Sequence, residues 1–167
     1  MSAQPTGEEE RSAETSHRSG PAGTARSVEP AGDQAGTELS ILGHTVRHPI
    51  EHVECFPAPD GCSSVRFSSD ELSSLCPVTG QPDLSSIVIE YGPERHCIES
   101  KSLKLYLWGF RDRAIFAEAL SAAVAREVWT SAQPQWVRVS VTQRPRGGIE
   151  LRTTSVLGAA PPEHTFA

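Results

Sequence analysis

The first 37 residues of the chain lack the side chains from which a folded core is built. They contain no aromatic residue, and Met1 and Val28 are their only bulky apolar residues. Such a composition buries too little apolar surface to offset the entropy of the chain, so we expect a disordered extension over residues 1–37. It also has no apolar h-region, and its run of three glutamates is untypical of transit peptides. We therefore do not expect a targeting signal.

The sequence also lacks a long apolar run, an excess of basic residues and closely spaced cysteines. No segment is long and apolar enough to predict a membrane-spanning helix. From residue 38 onward, 12 Lys and Arg stand against 15 Asp and Glu, which disfavours direct nucleic-acid binding because that affinity depends on neutralising phosphates. The four cysteines form no CxxC pair and the histidines show no ligand spacing, so we expect no metal site and reduced thiols in the cytoplasm.

Residues 38–167 carry the periodicities of a single α+β domain. Alternating and β-branched residues predict strands at 62–69, 85–92, 96–100 and 136–143 and a closing strand after residue 148. Apolar residues at helical spacing predict one helix from Ser100 and a second through Phe116–Val128 that ends before Pro134. This order predicts an antiparallel four-stranded sheet with two helices on one face. The free edges of such a sheet favour assembly with other copies.

Cys76 lies in a turn-rich segment, CPVTGQPD, between two predicted strands. Two prolines and a glycine restrict the backbone of this segment, which suits a reactive side chain held on a rigid loop. Asp83 ends the same segment, so a thiol and a carboxyl there are candidates for a nucleophile and a proton donor. The alternative is a buried structural cysteine, which is the commoner role of a single cysteine.

The start of the first predicted helix, ESKSLK at residues 99–104, is a second candidate site. Ser100 is the predicted N-cap, which leaves N–H groups of the first turn free beside Lys101 and Lys104. That arrangement binds phosphate, and we expect it to lie near the Cys76 loop. The alternative is a solvated helix end with an ordinary cap. The basic segment RPRGG at residues 144–148 adds a second candidate, for which the alternative is a plain hairpin turn.

Taken together, SLCPVTGQPD, ESKSLKLYLWGFRDR and PRGGIE resemble the NADPH-dependent 7-cyano-7-deazaguanine reductases of queuosine biosynthesis, in their short, single-module form. The resemblance covers about residues 54–149. It implies the tunnelling fold, whose members assemble barrels from the strands of neighbouring subunits, and it implies a homo-oligomer, a decamer in this family. The product of such an enzyme serves tRNA modification, and the substrate is a small deazapurine.

The resemblance also implies roles for individual residues. Cys76 matches the nucleophile, which forms a thioimide with the nitrile carbon, and Asp83 matches the donor that protonates the nitrogen. The implied substrate-binding set comprises Ile98, Glu99, Ser100, Ala117 and Glu118, in which Glu118 grips the deazaguanine base. The implied NADPH-binding set comprises Ser100, Lys101, Ser102, Lys104, Arg144, Arg146, Gly147 and Gly148.

The sequence departs from the family pattern at Ala117. Members of the family usually carry a histidine immediately before the base-gripping glutamate, whereas this chain reads Phe116-Ala117-Glu118. Two alternatives to the reductase therefore remain. One is a relative of the same fold that uses the thioimide for transfer to ammonia or an amine, and the other is a non-catalytic paralogue that binds a deazapurine.

Overall fold

Eight elements of secondary structure lie within residues 39–162, the part of the chain that the computed structural model describes. The extension predicted over residues 1–37 lies outside the described residues. In chain order the elements are β1 (Cys55–Pro57), β2 (Val65–Leu75), β3 (Pro82–Gly92), β4 (His96–Ile98), α1 (Ser100–Trp108), α2 (Ala117–Ala132), β5 (Trp136–Arg146) and β6 (Ile149–Gly158).

The main sheet is four-stranded and antiparallel, with the strand order β2-β3-β5-β6. Alternate residues of its central strands are buried on one face, where they form a single core with residues of both helices. Helix α2 supplies the stripe Leu120, Val124 and Val128 and packs on β5 and β6, while α1 contacts β2. The predicted α+β class, with both helices on one face of an antiparallel sheet, is thereby confirmed.

Strand β2 extends further along the chain than the period-two pattern predicts. The prediction of residues 62–69 for this strand is wrong at both ends, since it begins at Val65 and ends at Leu75. Its pairing with β3 shifts register between Ser69 and Leu72, where one extra residue enters the ladder. That irregularity breaks the alternation of apolar residues, so the second half of the strand carries no clear sequence signal.

A separate two-stranded sheet precedes α1. The short strand predicted at residues 96–100 does not join the main sheet but forms β4, which pairs with β1. In this pairing Cys55 lies opposite Ile98, and the backbone N–H of Glu99 continues the contact by donating to the carbonyl of Glu54 at 2.8 Å. The two strands therefore fix the chain immediately before α1.

Two glycines form the turn between β5 and β6. Gly147 and Gly148 have φ values of 64° and 81°, and the flanking residues Arg146 and Ile149 are paired. A two-residue hairpin turn with positive φ at both positions favours glycine strongly. The conformation of the turn is thus a sufficient reason for both glycines.

Among the helices within residues 39–162, none is long and apolar enough to cross a membrane.

Candidate functional site

Cys76 begins a closed turn between β2 and β3, which pair through Leu75 and Pro82. The backbone N–H of Cys76 donates to the carbonyl of Gln81 at 2.9 Å, and the N–H of Gly80 donates to the carbonyl of Cys76 at 2.9 Å. Gly80 has a φ of 67°, a left-handed conformation that favours glycine. The rigid loop predicted around Cys76 is present.

The thiol of Cys76 is partly exposed, and donors of its own turn surround it. The side chain of Thr79 contributes most to stabilising the thiolate, followed by the backbone N–H groups of Thr79 and Val78, and together they lower the pKa of Cys76 to about 7. Burial has the opposite effect on Cys55, whose pKa it raises to about 11. Cys76 is therefore suited to act as a nucleophile near neutral pH, whereas Cys55 stays protonated.

Asp83 and Arg146 form an ion pair beside this turn. Asp83, in the second position of β3, is only 7% exposed, and its Oδ1 accepts from Nη2 of Arg146 at 2.7 Å. A second nitrogen of Arg146, Nη1, donates to Oε1 of Gln81 at 3.3 Å. Arg146 also makes the smallest of the contributions that lower the pKa of Cys76. The guanidinium that pairs with Asp83 thus also favours the thiolate.

The loop that precedes α2 pairs with the end of β2. Leu75 donates to the carbonyl of Arg113 at 2.9 Å and accepts from the N–H of Ile115 at 3.1 Å, a short parallel bridge one residue before Cys76. The chain then reaches Glu118 in the first turn of α2. The carboxylate of Glu118 is exposed and makes no hydrogen bond or ion pair within residues 39–162. The sequence pattern alone does not distinguish this residue from an ordinary solvent-exposed glutamate of a helix.

Ala117, the residue at which the family's histidine is missing, is packed into the core. It is 7% exposed, and its carbonyl accepts from the hydroxyl of Thr153 at 3.2 Å. Its methyl group contributes to the apolar cluster beneath α2 and presents no polar atom to the site.

Helix α1 begins with a cap that differs from the prediction. The N-cap is Glu99, whose carboxylate accepts from the N–H groups of Lys101 at 2.8 Å and of Ser102 at 2.7 Å. The prediction of Ser100 as the cap is wrong, because Glu99 is held in position by its own N–H bond to the Glu54 carbonyl and is only 6% exposed. The N–H groups of Lys101 and Ser102, expected to be free for phosphate, are therefore occupied.

Two more residues of the ESKSLK segment are engaged in the fold. The Nζ of Lys101 donates to the backbone carbonyls of Ile41 and His44. Ser102 is fully buried, and its hydroxyl donates to the Glu99 carbonyl at 2.8 Å and accepts from the N–H of Glu54 at 2.9 Å. These side chains attach the chain before β1 to the first turn of α1.

Lys104 and Ser100, in contrast, line a groove of about 880 Å³ between α1 and the strands β2 and β3. Lys104 is exposed and makes no hydrogen bond or ion pair among the described residues, and Arg111 and Trp108 extend the same wall of the groove. Opposite them the groove is lined by residues of β2 from Phe67 onward and by β3 residues such as Leu84, Ile87 and Ile89.

The predicted residues therefore fall into two groups at opposite ends of the main sheet. Ile98 donates its N–H to the hydroxyl of Tyr91 at 2.8 Å, which places the start of α1 at the Tyr91 end of β3. Asp83 lies eight residues away on the same strand, about 26 Å at the usual rise. The groove that Ser100 lines also reaches Leu75 and Pro82, which flank the Cys76 turn, so the expectation that the helix start lies near the Cys76 loop stays a prediction. No group of three candidate metal ligands occurs within residues 39–162.

Comparison with known proteins gives consistent results. The model of a family described as QueF-like protein matches residues 82–160. The chain is 45% identical over 120 residues to the NADPH-dependent 7-cyano-7-deazaguanine reductase of Nitratidesulfovibrio vulgaris, covering 68% of this chain and 73% of that protein. It is 47% identical over 105 residues to the protein of the same name from Caulobacter vibrioides, covering 63% and 70%.

Among solved structures, the fold is similar to that of the archaeosine synthase QueF-Like in the apo form. The TM-score is 0.56 at 25% sequence identity, and the match covers 59% of this chain and 97% of the other.

Proposed function

Because the chain belongs to the family of NADPH-dependent 7-cyano-7-deazaguanine reductases, we propose that it reduces the nitrile of 7-cyano-7-deazaguanine to the aminomethyl group of 7-aminomethyl-7-deazaguanine. The product would serve queuosine biosynthesis and hence tRNA modification. The observation that carries the proposal is the Cys76 turn, in which a thiol with a pKa of about 7 lies beside the buried Asp83.

The residues at this end of the sheet are suited to addition to a nitrile. The thiolate of Cys76 attacks the nitrile carbon, one π bond breaks, and the nitrogen takes a proton from Asp83 to give a thioimide on the sulfur. Asp83 donates only when it carries that proton, so its ion pair with Arg146 must open as the substrate arrives. After the first reduction the C–S bond breaks and Cys76 leaves as thiolate, which suits a sulfur of low pKa.

Glu118 is the residue we propose to hold the base. Its unpaired carboxylate lies in the first turn of α2, four residues after Ala114, which bridges to Leu75 beside Cys76. A carboxylate in this position accepts two N–H groups from a guanine-like edge, and charge-assisted hydrogen bonds of this kind orient a planar ligand.

Two molecules of NADPH, bound in turn, would supply the two hydrides that the reduction needs, and Lys104 and Arg111 would offer positive charge to the cofactor in a groove that Asp70, Glu71 and Asp112 also line. Lys104 is free to pair with an anion and Arg111 lies on the same wall, whereas the N–H groups of Lys101 and Ser102 in the first turn of α1 are taken by the Glu99 carboxylate. We therefore assign the 2′-phosphate of NADPH to Lys104 and its neighbour Ser100 rather than to the helix N-terminus. Roles for Arg144, Arg146 and the two hairpin glycines at the cofactor stay predictions.

We propose that different copies of the chain supply the two groups of residues. Within one copy, Tyr91, whose hydroxyl holds Ile98 just before α1, and Asp83 are about 26 Å apart along β3. Both outer strands of the sheet, β2 and β6, have an unpaired edge within residues 39–162, and strand pairing between copies would place the α1 start of one copy beside the Cys76 end of another. We propose that the protein is a cytoplasmic homo-oligomer, a decamer by family resemblance. Residues 38–167 would form its catalytic domain, and its substrate would be the free base.

Intact-mass measurement tests the proposal. The protein is incubated with 7-cyano-7-deazaguanine, and its intact mass is measured by mass spectrometry. NADPH is then added while its oxidation is followed. We expect an adduct of substrate mass that is absent in Cys76→Ser and disappears as NADPH is consumed. No adduct in the wild type would contradict a covalent mechanism and favour the deazapurine-binding paralogue.

Transfer to ammonia is a second candidate, because the structural relative is named an archaeosine synthase. It predicts an adduct that is inert to NADPH and is consumed by ammonium ions. The same incubation, divided between NADPH and an ammonium salt, separates the two reactions.

A further inference from the structure

Strand β6 directs two hydroxyl side chains toward α2 in the middle of an otherwise apolar row. Its alternate residues Leu151, Thr153, Ser155 and Leu157 are half-buried, and the residues between them are exposed. The two leucines at the ends of this row pack against the core. A hydroxyl in such a position needs a hydrogen-bond partner to offset its lost hydration. The two hydroxyls therefore indicate a specific contact with α2.

Both hydroxyls are linked to the first turn of α2. The hydroxyl of Thr153 donates to the carbonyl of Ala117 at 3.2 Å. The hydroxyl of Ser121 donates to the carbonyl of Glu118 at 3.0 Å, and Oγ of Ser155 lies 2.9 Å from Oγ of Ser121. Because a serine hydroxyl carries one proton, Ser155 is the donor in that second pair. Two consecutive carbonyls of α2 are thus connected to β6.

These two carbonyls belong to the peptide units on either side of the Cα atom of Glu118. Since each peptide unit is planar, holding both of them restricts the backbone angles of Glu118 itself. The N-cap of α2 is Phe116, which makes no side-chain hydrogen bond to the helix. A first turn without a side-chain cap is held weakly by its own helix. The contacts with β6 therefore hold the turn from which the carboxylate of Glu118 extends.

We propose that Thr153 is a positioning residue for the substrate, which fixes the backbone from which Glu118 presents its carboxylate to the base. The proposal rests on the proposed function, in which that carboxylate accepts two N–H groups of the deazaguanine. A contact of this kind depends on the direction of the carboxylate as well as on its charge. Cys76 lies in the turn between β2 and β3, so the chemical step itself should not depend on Thr153.

Binding of 7-cyano-7-deazaguanine to Cys76→Ser, measured by calorimetry, tests the proposal without the covalent step. Adding Thr153→Val, which removes the hydroxyl at nearly constant shape, should weaken binding about three- to tenfold. Thr153→Ser keeps the donor and should bind as tightly as Cys76→Ser alone. When Glu118→Gln is also present, Thr153→Val should weaken binding by about twofold or less, because the two residues act through one contact.

Thr154→Val is the matched control. Thr154 follows Thr153 on β6 and points to the other face of the sheet, where its hydroxyl lies 3.0 Å from that of Ser140. This variant loses one hydroxyl contact of the same kind and should leave the affinity unchanged. Equal weakening by Thr153→Val and Thr154→Val overturns the proposal, as does a Thr153→Val variant that keeps full affinity or loses as much with Glu118→Gln as without it.

Turnover with Cys76 intact separates positioning from a general loss of structure. In Thr153→Val the KM for the nitrile should rise about three- to tenfold, while kcat changes by less than about twofold. A fall in kcat at constant KM contradicts the proposal, because it would place the effect of Thr153 on the chemical step.

Hydrogen exchange measures the turn without any ligand. The amides of residues 117–121 should exchange faster in Thr153→Val than in the wild type or Thr154→Val, and equal rates in all three overturn the proposal. If neither the wild type nor Cys76→Ser binds the deazapurine, the proposed function fails, while the exchange still decides whether Thr153 holds the first turn of α2. If Glu118→Gln binds the base as tightly as its parent, the role of Glu118 is wrong and the proposal is overturned with it.

Discussion

The two ends of the main sheet use their polar side chains differently. At the Cys76 end the thiol is partly exposed, and on the helix that follows the bridged loop the carboxylate of Glu118 has no partner among the described residues. At the Tyr91 end, Glu99, Lys101 and Ser102 are all engaged by backbone groups, and two of the three are buried. The first end is open for chemistry, while the second is largely committed to holding the chain around α1.

This difference separates residues that share one sequence segment. Within ESKSLK, the side chains of Glu99, Lys101 and Ser102 are held in the fold, and Ser100 and Lys104 line the groove. A segment that identifies a family therefore contains both structural and ligand-facing residues. Family resemblance implies a ligand-binding role for every residue of this segment except Leu103, whereas the hydrogen bonds distinguish its members.

The largest effect is expected in an experiment on the contact between copies of the chain. It tests whether residues of the two ends of the sheet come together only where two copies meet. Cys76→Ser and Lys104→Glu each inactivate one end, so each variant alone should be inactive or strongly impaired. When both are co-expressed and allowed to mix, sites with an intact residue from each copy should form. We expect about a quarter of wild-type activity at random mixing.

The measurement is the specific activity of the mixed oligomer against the sum of the separate variants. Activity no greater than that sum would mean that a single copy supplies the residues of both ends to one site. The proposed assembly of the site from two copies would then be wrong.

A smaller effect is expected on stability when the cap of α1 is removed. Glu99→Ala deprives two N–H groups of their buried acceptor and should lower the free energy of unfolding by about 1–3 kcal/mol. Ser100→Ala, one residue away and exposed, should change it by less than about 0.5 kcal/mol. Urea unfolding of the two variants checks the prediction. If Glu99→Ala keeps full stability and only raises the KM for the nitrile, Glu99 serves the substrate and not the helix.

Sequence reasoning predicted the elements that carry strong periodicity. The apolar stripe of α2 and the alternating valines of β5 each appear where the pattern placed them. The turn at Gly147 follows from the conformations open to glycine. In these cases the burial of a regular face decides the structure locally, and a single stretch of sequence records it.

Choices that depend on distant partners were not predictable. Glu99 and Ser100 are both able to cap a helix, and the bond from Glu99 to the Glu54 carbonyl decides between them. The loop before Glu118 is brought to the Cys76 turn by the bridge between Leu75 and Ala114. The separation of the two ends follows from strand register, because β4 leaves the Tyr91 end of β3 to join β1. Each of these contacts joins residues that no local pattern relates.

The smallest effect compares the two lysines of α1. Lys104→Gln removes the free cation of the groove and should weaken NADPH binding about three- to tenfold, with little effect on NADH, which lacks the 2′-phosphate. Lys101→Gln removes the donor to the Ile41 and His44 carbonyls and should lower the melting temperature while the ratio of NADPH to NADH affinity stays constant. Titration of both variants with the two nucleotides, together with thermal unfolding, measures this. If Lys101→Gln alters the nucleotide preference instead, Lys101 binds the cofactor as well as holding the fold. The distinction between a structural and a ligand-facing lysine in α1 would then be wrong.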